Sequence, residues 1–176
     1  DGSLLDLPRG ALVQYREWYG WNGNPNEGLK LTADEVGQGI AERDAGEQIS
    51  NGASVLDPSA FSEDGGPSIA ERIMIGGGKD KAGRYRVMFR RADNKRVAQK
   101  GAMGGWDQVR ARLKGEDGRP MIYFMETCAH IIRTLPALQH DELNLEDVDT
   151  EGEDHAADSV RYACMSRPYL RKDIPK

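Results

Sequence analysis

The stretch EDHAADSVRYACMSRPY, residues 153–169, opens on two carboxylates four residues apart, Asp154 and Asp158, followed by Arg161-Tyr162 and a run of small side chains. At that spacing the two acids share one face of a helix. Ala156, Val160 and Ala163 fall on the opposite side, so packing does not require the acids to be buried. An acid in a first turn complements the helix dipole, which accounts for Asp154. Asp158 sits deeper, where that effect has faded. Like charges one turn apart cost roughly a few tenths of a kcal/mol unless something compensates, and either Arg161 or a divalent cation would do so. A third acid, Asp57, closes the apolar run ASVLD ahead of Pro58. Proline biases the residue before it toward extended backbone, so Asp57 is expected at a strand tip, where open α/β sheets place their sites. An Asp-Pro pair also starts turns, and the two readings of Asp57 stand side by side.

Carboxylates with no neighbouring His or Cys cluster suit hard cations such as Mg²⁺ or Mn²⁺. His130 and His155 lack metal-ligand spacing and read as surface or satisfied histidines. There is no zinc pattern and no GxSxG, and GGGKDK (residues 76–81) lacks the spacing of a phosphate-binding P-loop. Charge is unevenly spread. The net charge is −5, yet residues 72–119 hold 14 Lys/Arg against 5 Asp/Glu, and the remainder holds 10 against 24. Hard-cation ligands beside a basic surface point to phosphodiester hydrolysis, in which metal ions activate water and stabilise the leaving oxygen and basic side chains hold the phosphate backbone.

The elements that must position these groups read as α/β with a mixed sheet. The 176 residues fit one domain, 1–176, and 38% hydrophobic with 30% charged residues fits a soluble globular class. No apolar run approaches the roughly 18 residues of a membrane span. Strands are expected at Ala11–Tyr19, Ala53–Asp57, Tyr85–Phe89 and Met121–Met125, the last buried on both faces. Thr32-x-x-Glu35 and Ser68-x-x-Glu71 are capping boxes; they predict helices over Ala33–Ile49 and from Ser68 to Gly76. Gly76–Arg84 reads as a flexible basic loop. Further helices are expected over Asn94–Lys114 behind an Asp93 cap with an interruption near Gly101–Gly105, from Thr127 to a stop at Pro136, and over Asp154–Ser166 after an acidic loop. Cys128 and Cys164 sit in apolar helical contexts and read as buried thiols.

The chain resembles the C-terminal nuclease domain of the large terminase subunit of tailed bacteriophages. The matching stretches are ALVQYREWYG (11–20), GASVLDPSAF (52–61), RRADNKR (90–96), IYFMETCAHIIRTLPALQHD (122–141) and EDVDTEGEDHAADSVRYACMSRP (146–168). The most specific is Asp-His-x-x-Asp followed by Arg-Tyr, close after an acidic loop. The resemblance implies an RNase H-like mixed sheet flanked by helices. It implies a carboxylate cluster holding two Mg²⁺ or Mn²⁺ ions, and cutting of double-stranded concatemeric DNA during genome packaging in the host cytoplasm, from a phage or a prophage. The later-strand acid of the family maps onto Asp57 and the helix acid onto Asp154, with Asp158 as auxiliary or second candidate. The family's first-strand acid is expected upstream of an Asp1-Gly2 hairpin turn, on a first strand that this chain starts too late to contain. The basic middle then gains a role: Lys79, Lys81, Arg84, Arg90, Arg91, Lys95 and Arg96 are expected on phosphates, without base specificity. Implied partners are DNA, the terminase ATPase domain, the portal and the small terminase subunit, with no membrane. Two other readings compete: a non-catalytic module that docks on DNA, the portal or the ATPase with an incomplete acid cluster, and another RNase H-like enzyme such as a resolvase or integrase.

Overall fold

The computed structural model describes residues 6–24, 27–49, 54–150 and 152–169. In chain order its elements are β1 (Leu12–Gln14), α1 (Ala33–Arg43), β2 (Val55–Leu56), α2 (Ile69–Gly77), β3 (Arg90–Arg91), α3 (Gly105–Lys114), β4 (Ile122–Phe124), α4 (Ala129–Thr134) and α5 (His155–Ser166). The architecture is α/β, with short parallel strand pairs flanked by helices. The chain divides into two compact units, Asp1–Tyr19 with Lys95–Lys176, and Gly20–Asn94. The expected hairpin at Asp1-Gly2 lies outside the described residues. No helix among the described residues is long and apolar enough to cross a membrane.

In the contiguous unit, β2 and β3 pair in parallel, Val55 with Arg90 and Leu56 with Arg91, and α2 lies between them in sequence. Both predicted capping boxes form: Thr32 and Ser68 receive the backbone N–H of Glu35 and Glu71, whose side chains reach back to the cap N–H. Helices α1 and α2 pack through glycine. A Cβ on Gly37 would lie 2.0 Å from the Ile73 carbonyl oxygen, and one on Gly76 would lie 2.1 Å from that of Asp34. The two backbones therefore touch, and Arg72 closes the crossing by an ion pair to Asp34. The glycines that weaken helix propensity are what the packing requires. Helix α1 ends at Arg43 rather than Ile49, because the chain turns at Asp44 and Gly46 takes a left-handed φ of 88°. The Tyr85–Phe89 strand does not form; Lys79 bridges Tyr85 alone, Val87 fills the space over Gly77, and the ladder starts at Arg90.

In the discontinuous unit, β1 and β4 pair in parallel with Leu12 opposite Ile122 and Gln14 opposite Phe124. The pairings among named strands are all parallel, so the mixed sheet expected from sequence is not what these residues build. Strand β1 stops at Gln14 because Glu17 leaves the ladder: its carboxylate accepts the N–H of His130 and Ile131 and caps α4, a helix without a side-chain cap of its own. Strand β4 buries Ile122, while Tyr123 and Phe124 are half-buried and Met125 is exposed, so it is not covered on both faces. The helix expected over Asn94–Lys114 forms only from Gly105. The preceding ten residues are irregular, turning through Lys100 and Gly101 at positive φ, and Gly104 stands at the cap position expected of Asp93. Pro136 sits inside a 3₁₀ turn, Leu135–Ala137, after α4 has ended.

The core of this unit joins Trp106 and Val109 of α3, Ile122, Cys128 and Ile131, Val148, and Ala156, Ala157, Val160 and Cys164 of α5. Both thiols are buried and unbridged, and burial pushes Cys164 up to about 11. Arg112 is buried and held by backbone carbonyls. Its guanidinium donates to the carbonyls of Gly10 and Met121, each at 3.1 Å, and to that of Arg167. Burial lowers its pKa. The Gln108 side-chain amide pairs with both the N–H (2.7 Å) and the C=O (3.3 Å) of Tyr169.

The glycine crossing yields a direct check. Overpacking a tight contact costs about 1–3 kcal/mol, and a Gly37→Ala methyl meets backbone that cannot rotate away. Urea unfolding of Gly37→Ala is expected to lose about 3 kcal/mol. Gly66→Ala, where a Cβ meets nothing within 4 Å, stays close to wild type. Equal stability of the two variants contradicts this packing.

Candidate functional site

The acids of the DHxxD motif converge on a cation, and the cation is Arg96. The irregular segment before α3 turns this side chain inward. Its Nε donates to Asp147 Oδ1 at 2.8 Å and its Nη2 to the Val148 carbonyl at 3.0 Å. Its Nη1 stands 3.4 Å from Asp158 Oδ1 and 3.8 Å from Asp154 Oδ2. The guanidinium lies 5.4 Å from the centroid of the Trp106 ring, and Trp106 Nε1 donates to the same Asp147 oxygen at 2.9 Å. Arg161 provides a second cation, donating from Nε to Asp158 Oδ1 at 2.9 Å. Its stem runs across Gly105, where a Cβ would come within 2.5 Å of Arg161 Cγ. The compensation of Asp158 by Arg161 expected from spacing is present, and Arg96 joins it from 62 residues upstream.

The packed face of α5 is not the expected one. Ala156, Ala157, Val160, Arg161 and Cys164 are buried, Ala163 is exposed, and Asp154 is only 6% exposed. Arg161 turns the helix: a buried guanidinium that needs Asp158 draws that acid toward the core. Asp154 occupies the N-cap position of α5, yet its side chain makes no capping hydrogen bond. Arg96 stands 3.8 Å from its carboxylate and the exposed His155 imidazole 3.6 Å. Burial first, and the Asp158 charge second, push its carboxyl above the ordinary range. Asp147 behaves oppositely. Burial pushes it up, but the hydrogen bond from Arg96, the Val148 N–H and the Arg96 charge outweigh this, and its pKa is lowered. Beside this corner Glu153 forms a two-bond pair with Arg133, both at 2.7 Å, and accepts the Tyr19 hydroxyl at 3.2 Å.

Asp57 belongs to the contiguous unit and stands directly after β2. Its Oδ1 accepts the N–H of Ser59 at 2.7 Å and the Ser59 hydroxyl, opening a 3₁₀ turn over Pro58–Phe61. Strand tip and turn starter are thus the same residue. Arg91, on the neighbouring strand, holds that turn from above. It donates to the carbonyls of Pro58 (3.3 Å) and Phe61 (3.5 Å) and lies 4.9 Å from the Phe61 ring centroid. Arg91 and Arg96 thus both make contacts to protein groups. Lys79, Lys81, Arg84, Arg90 and Lys95 are exposed. The Gly76–Arg84 segment is more ordered than a flexible loop: Asp80 accepts the N–H of Ala82 (2.8 Å) and Arg84 (2.9 Å) and pairs with the Arg84 side chain. Lys79 Nζ sits 4.6 Å from the Tyr85 ring centroid.

The donor chemistry of Asp154 suits a hard cation, since its carboxylate is buried, does not cap its helix and meets Arg96 only at 3.8 Å. Asp158 carries two guanidinium contacts, both on Oδ1. Among the described residues no three His, Cys, Asp or Glu side chains converge as a metal-holding group. Sequence reasoning missed Asp147 as the strongest partner of Arg96. Its signal was present, as one acid in a run of acids, but nothing in the run distinguishes it from its neighbours. No protein-family model, curated protein or solved structure matches the chain.

The two acids give opposite pH behaviour. Ionised Asp154 is disfavoured in the folded state, so stability falls as pH rises from the ordinary Asp value of 3.8 through its raised folded pKa. Asp154→Asn is expected to be more stable than wild type at pH 7 and to lose that advantage below the ordinary value. Asp147→Asn is expected to be about 2 kcal/mol less stable at pH 7 through loss of charge-assisted hydrogen bonds, and the deficit shrinks as pH falls through the lowered folded pKa. Urea titrations at pH 3 to 8 (about five points) read both signs.

Proposed function

We propose that this chain is a metal-dependent endonuclease domain of the large terminase type, cutting double-stranded concatemeric DNA during phage genome packaging. One observation carries the reading: Asp154, in the DHxxD-x-x-RY stretch, is a buried carboxylate at a helix start that does not cap the helix. A carboxylate so placed gains from a divalent ion. The family resemblance assigns Asp154 as main ligand, Asp158 as auxiliary and Asp57 as a further metal acid. Two Mg²⁺ or Mn²⁺ ions there would supply an activated water and charge for the leaving oxygen. The chain's own part is to hold and orient: Asp57, kept at its strand tip by Ser59 and by Arg91 over the following turn; Asp158, fixed by Arg161; and Lys79, Lys81, Arg84, Arg90 and Lys95 as phosphate contacts without base readout. Arg91 and Arg96 then act as positioning residues. The host cytoplasm, the portal, the small terminase subunit and the ATPase domain are the setting and partners that this reading implies.

A second reading has its own observation. Arg96 already stands among Asp147, Asp154 and Asp158, and a guanidinium there satisfies the acids without metal. In that case the domain docks on DNA or on the packaging machinery and does not cut.

Plasmid nicking and linearisation with Mn²⁺, with and without EDTA, separates the two. The nuclease reading expects metal-dependent cutting, reduced at least 100-fold, an order of magnitude typical of losing a group that stabilises transition-state charge, in both Asp57→Asn and Asp154→Asn. Cutting that survives both changes sinks it. A chain that binds plasmid but leaves it intact at every Mn²⁺ concentration supports the docking module.

A further inference from the structure

The acidic segment between the last two helices ends in a built projection. Leu143 is 99% exposed and Leu145 is 72% exposed, the two most exposed large apolar side chains among the described residues. A lone exposed leucine is ordinary. Two of them, one residue apart, on a backbone fixed in place are not, because a mobile loop would fold them back against the protein.

The fixation is specific. Asp141 Oδ1 accepts the N–H of Leu143 at 2.9 Å and of Asn144 at 2.8 Å. The Asn144 carbonyl accepts the Asp147 N–H at 2.8 Å, and its side-chain oxygen accepts the Glu146 N–H at 3.3 Å. His140 bridges Val148, and Asp149 N–H donates to the Gln139 carbonyl at 3.0 Å. The base is anchored twice more: Val148 is buried in the core, and Arg110 donates to the Glu146 carbonyl at 3.1 Å. The tip is thus preorganised, and little freedom remains to be lost when it is bound.

Its charge selects the partner. From Asp141 through Asp149 there are five acids and no Lys or Arg. Asp147 faces inward to Arg96, whereas Glu142 and Glu146 are exposed on either side of the leucines. We infer that this tip is a docking element for a partner protein that presents an apolar pocket rimmed by Lys and Arg. The leucines fill the pocket, and Glu142 and Glu146 pair with the rim. An anionic lipid surface is disfavoured, because the same acids would be repelled by it. The inference does not rest on the nuclease reading and survives its failure.

The test uses the full chain and a defined probe, a synthetic amphipathic helix with a leucine face flanked by lysines. Its control is a peptide of equal charge with serine in place of leucine. Methyl NMR is expected to show Leu143 and Leu145 shifting on titration with the leucine peptide. Leu143→Ser with Leu145→Ser should weaken binding at least tenfold while the thermal melt is unchanged, and Glu142→Gln with Glu146→Gln should weaken it several-fold and flatten its salt dependence. Four results overturn the inference: no binding, equal binding of the serine peptide, binding indifferent to the leucine change, or leucine-dependent binding to phosphatidylcholine vesicles instead. Leucine-dependent self-association in sedimentation, with no peptide binding, also overturns it in favour of a second copy as occupant.

Discussion

Three carboxylates share one corner of the discontinuous unit only because a guanidinium stands among them. Asp147 and Asp158 approach Arg96 within 3.4 Å, and Asp154 lies at 3.8 Å. Without that positive charge the acids would repel each other in a half-buried site, where Coulomb forces are poorly screened. Much of the surrounding structure serves this requirement. The chain before α3 forgoes helix so that Arg96 can turn in. Trp106 packs against the guanidinium and shares its acceptor. The acidic loop is pinned at Asp147, and Gly105 leaves room for the stem of Arg161. Removing the cation from such a set is far more damaging than replacing the whole set with apolar groups would be.

The corner is unequal, and the inequality gives it chemical interest. Asp147 is fully engaged and its carboxyl is stabilised in the ionised form. Asp158 is shared by two arginines. Asp154 has the longest contact and a raised pKa. Two arginines, of which only Arg96 reaches Asp154, set against three acids leave a net negative site. That residual charge is what a divalent ion would meet, and Asp154 is the ligand that would gain most from it.

Several features were legible in the sequence because they are local. Both capping boxes, the final helix to within one residue at its start, the buried thiols and the strand-tip position of Asp57 each follow from residues within a few positions of one another. What was not legible depends on distant partners. Nothing near Arg96 marks it as the partner of Asp147 rather than of phosphate, because the two are 51 residues apart. The spacing of α5 puts Ala163 on the apolar face, whereas Arg161, paired with Asp158, takes the buried place and Ala163 is exposed. Glycine lowers helix propensity, yet Gly37 of α1 and Gly76 of α2 form the contact itself. The strand beginning at Ala11 was overextended because Glu17, within it, leaves to cap a helix 113 residues later.

The carbonyls that hold Arg112 come from Gly10, Met121 and Arg167. On a ribosome these segments emerge far apart in time. The contiguous unit, Gly20–Asn94, has its whole sequence available before Arg112 is made, and domains generally fold as they become complete. The other unit cannot close around its buried charge until Arg167 is out. Its opening strand must wait, unpaired, while an entire neighbour is synthesised and folded. The order of folding thus departs from the order of synthesis: the contiguous unit is complete first, and the unit that holds β1 closes last.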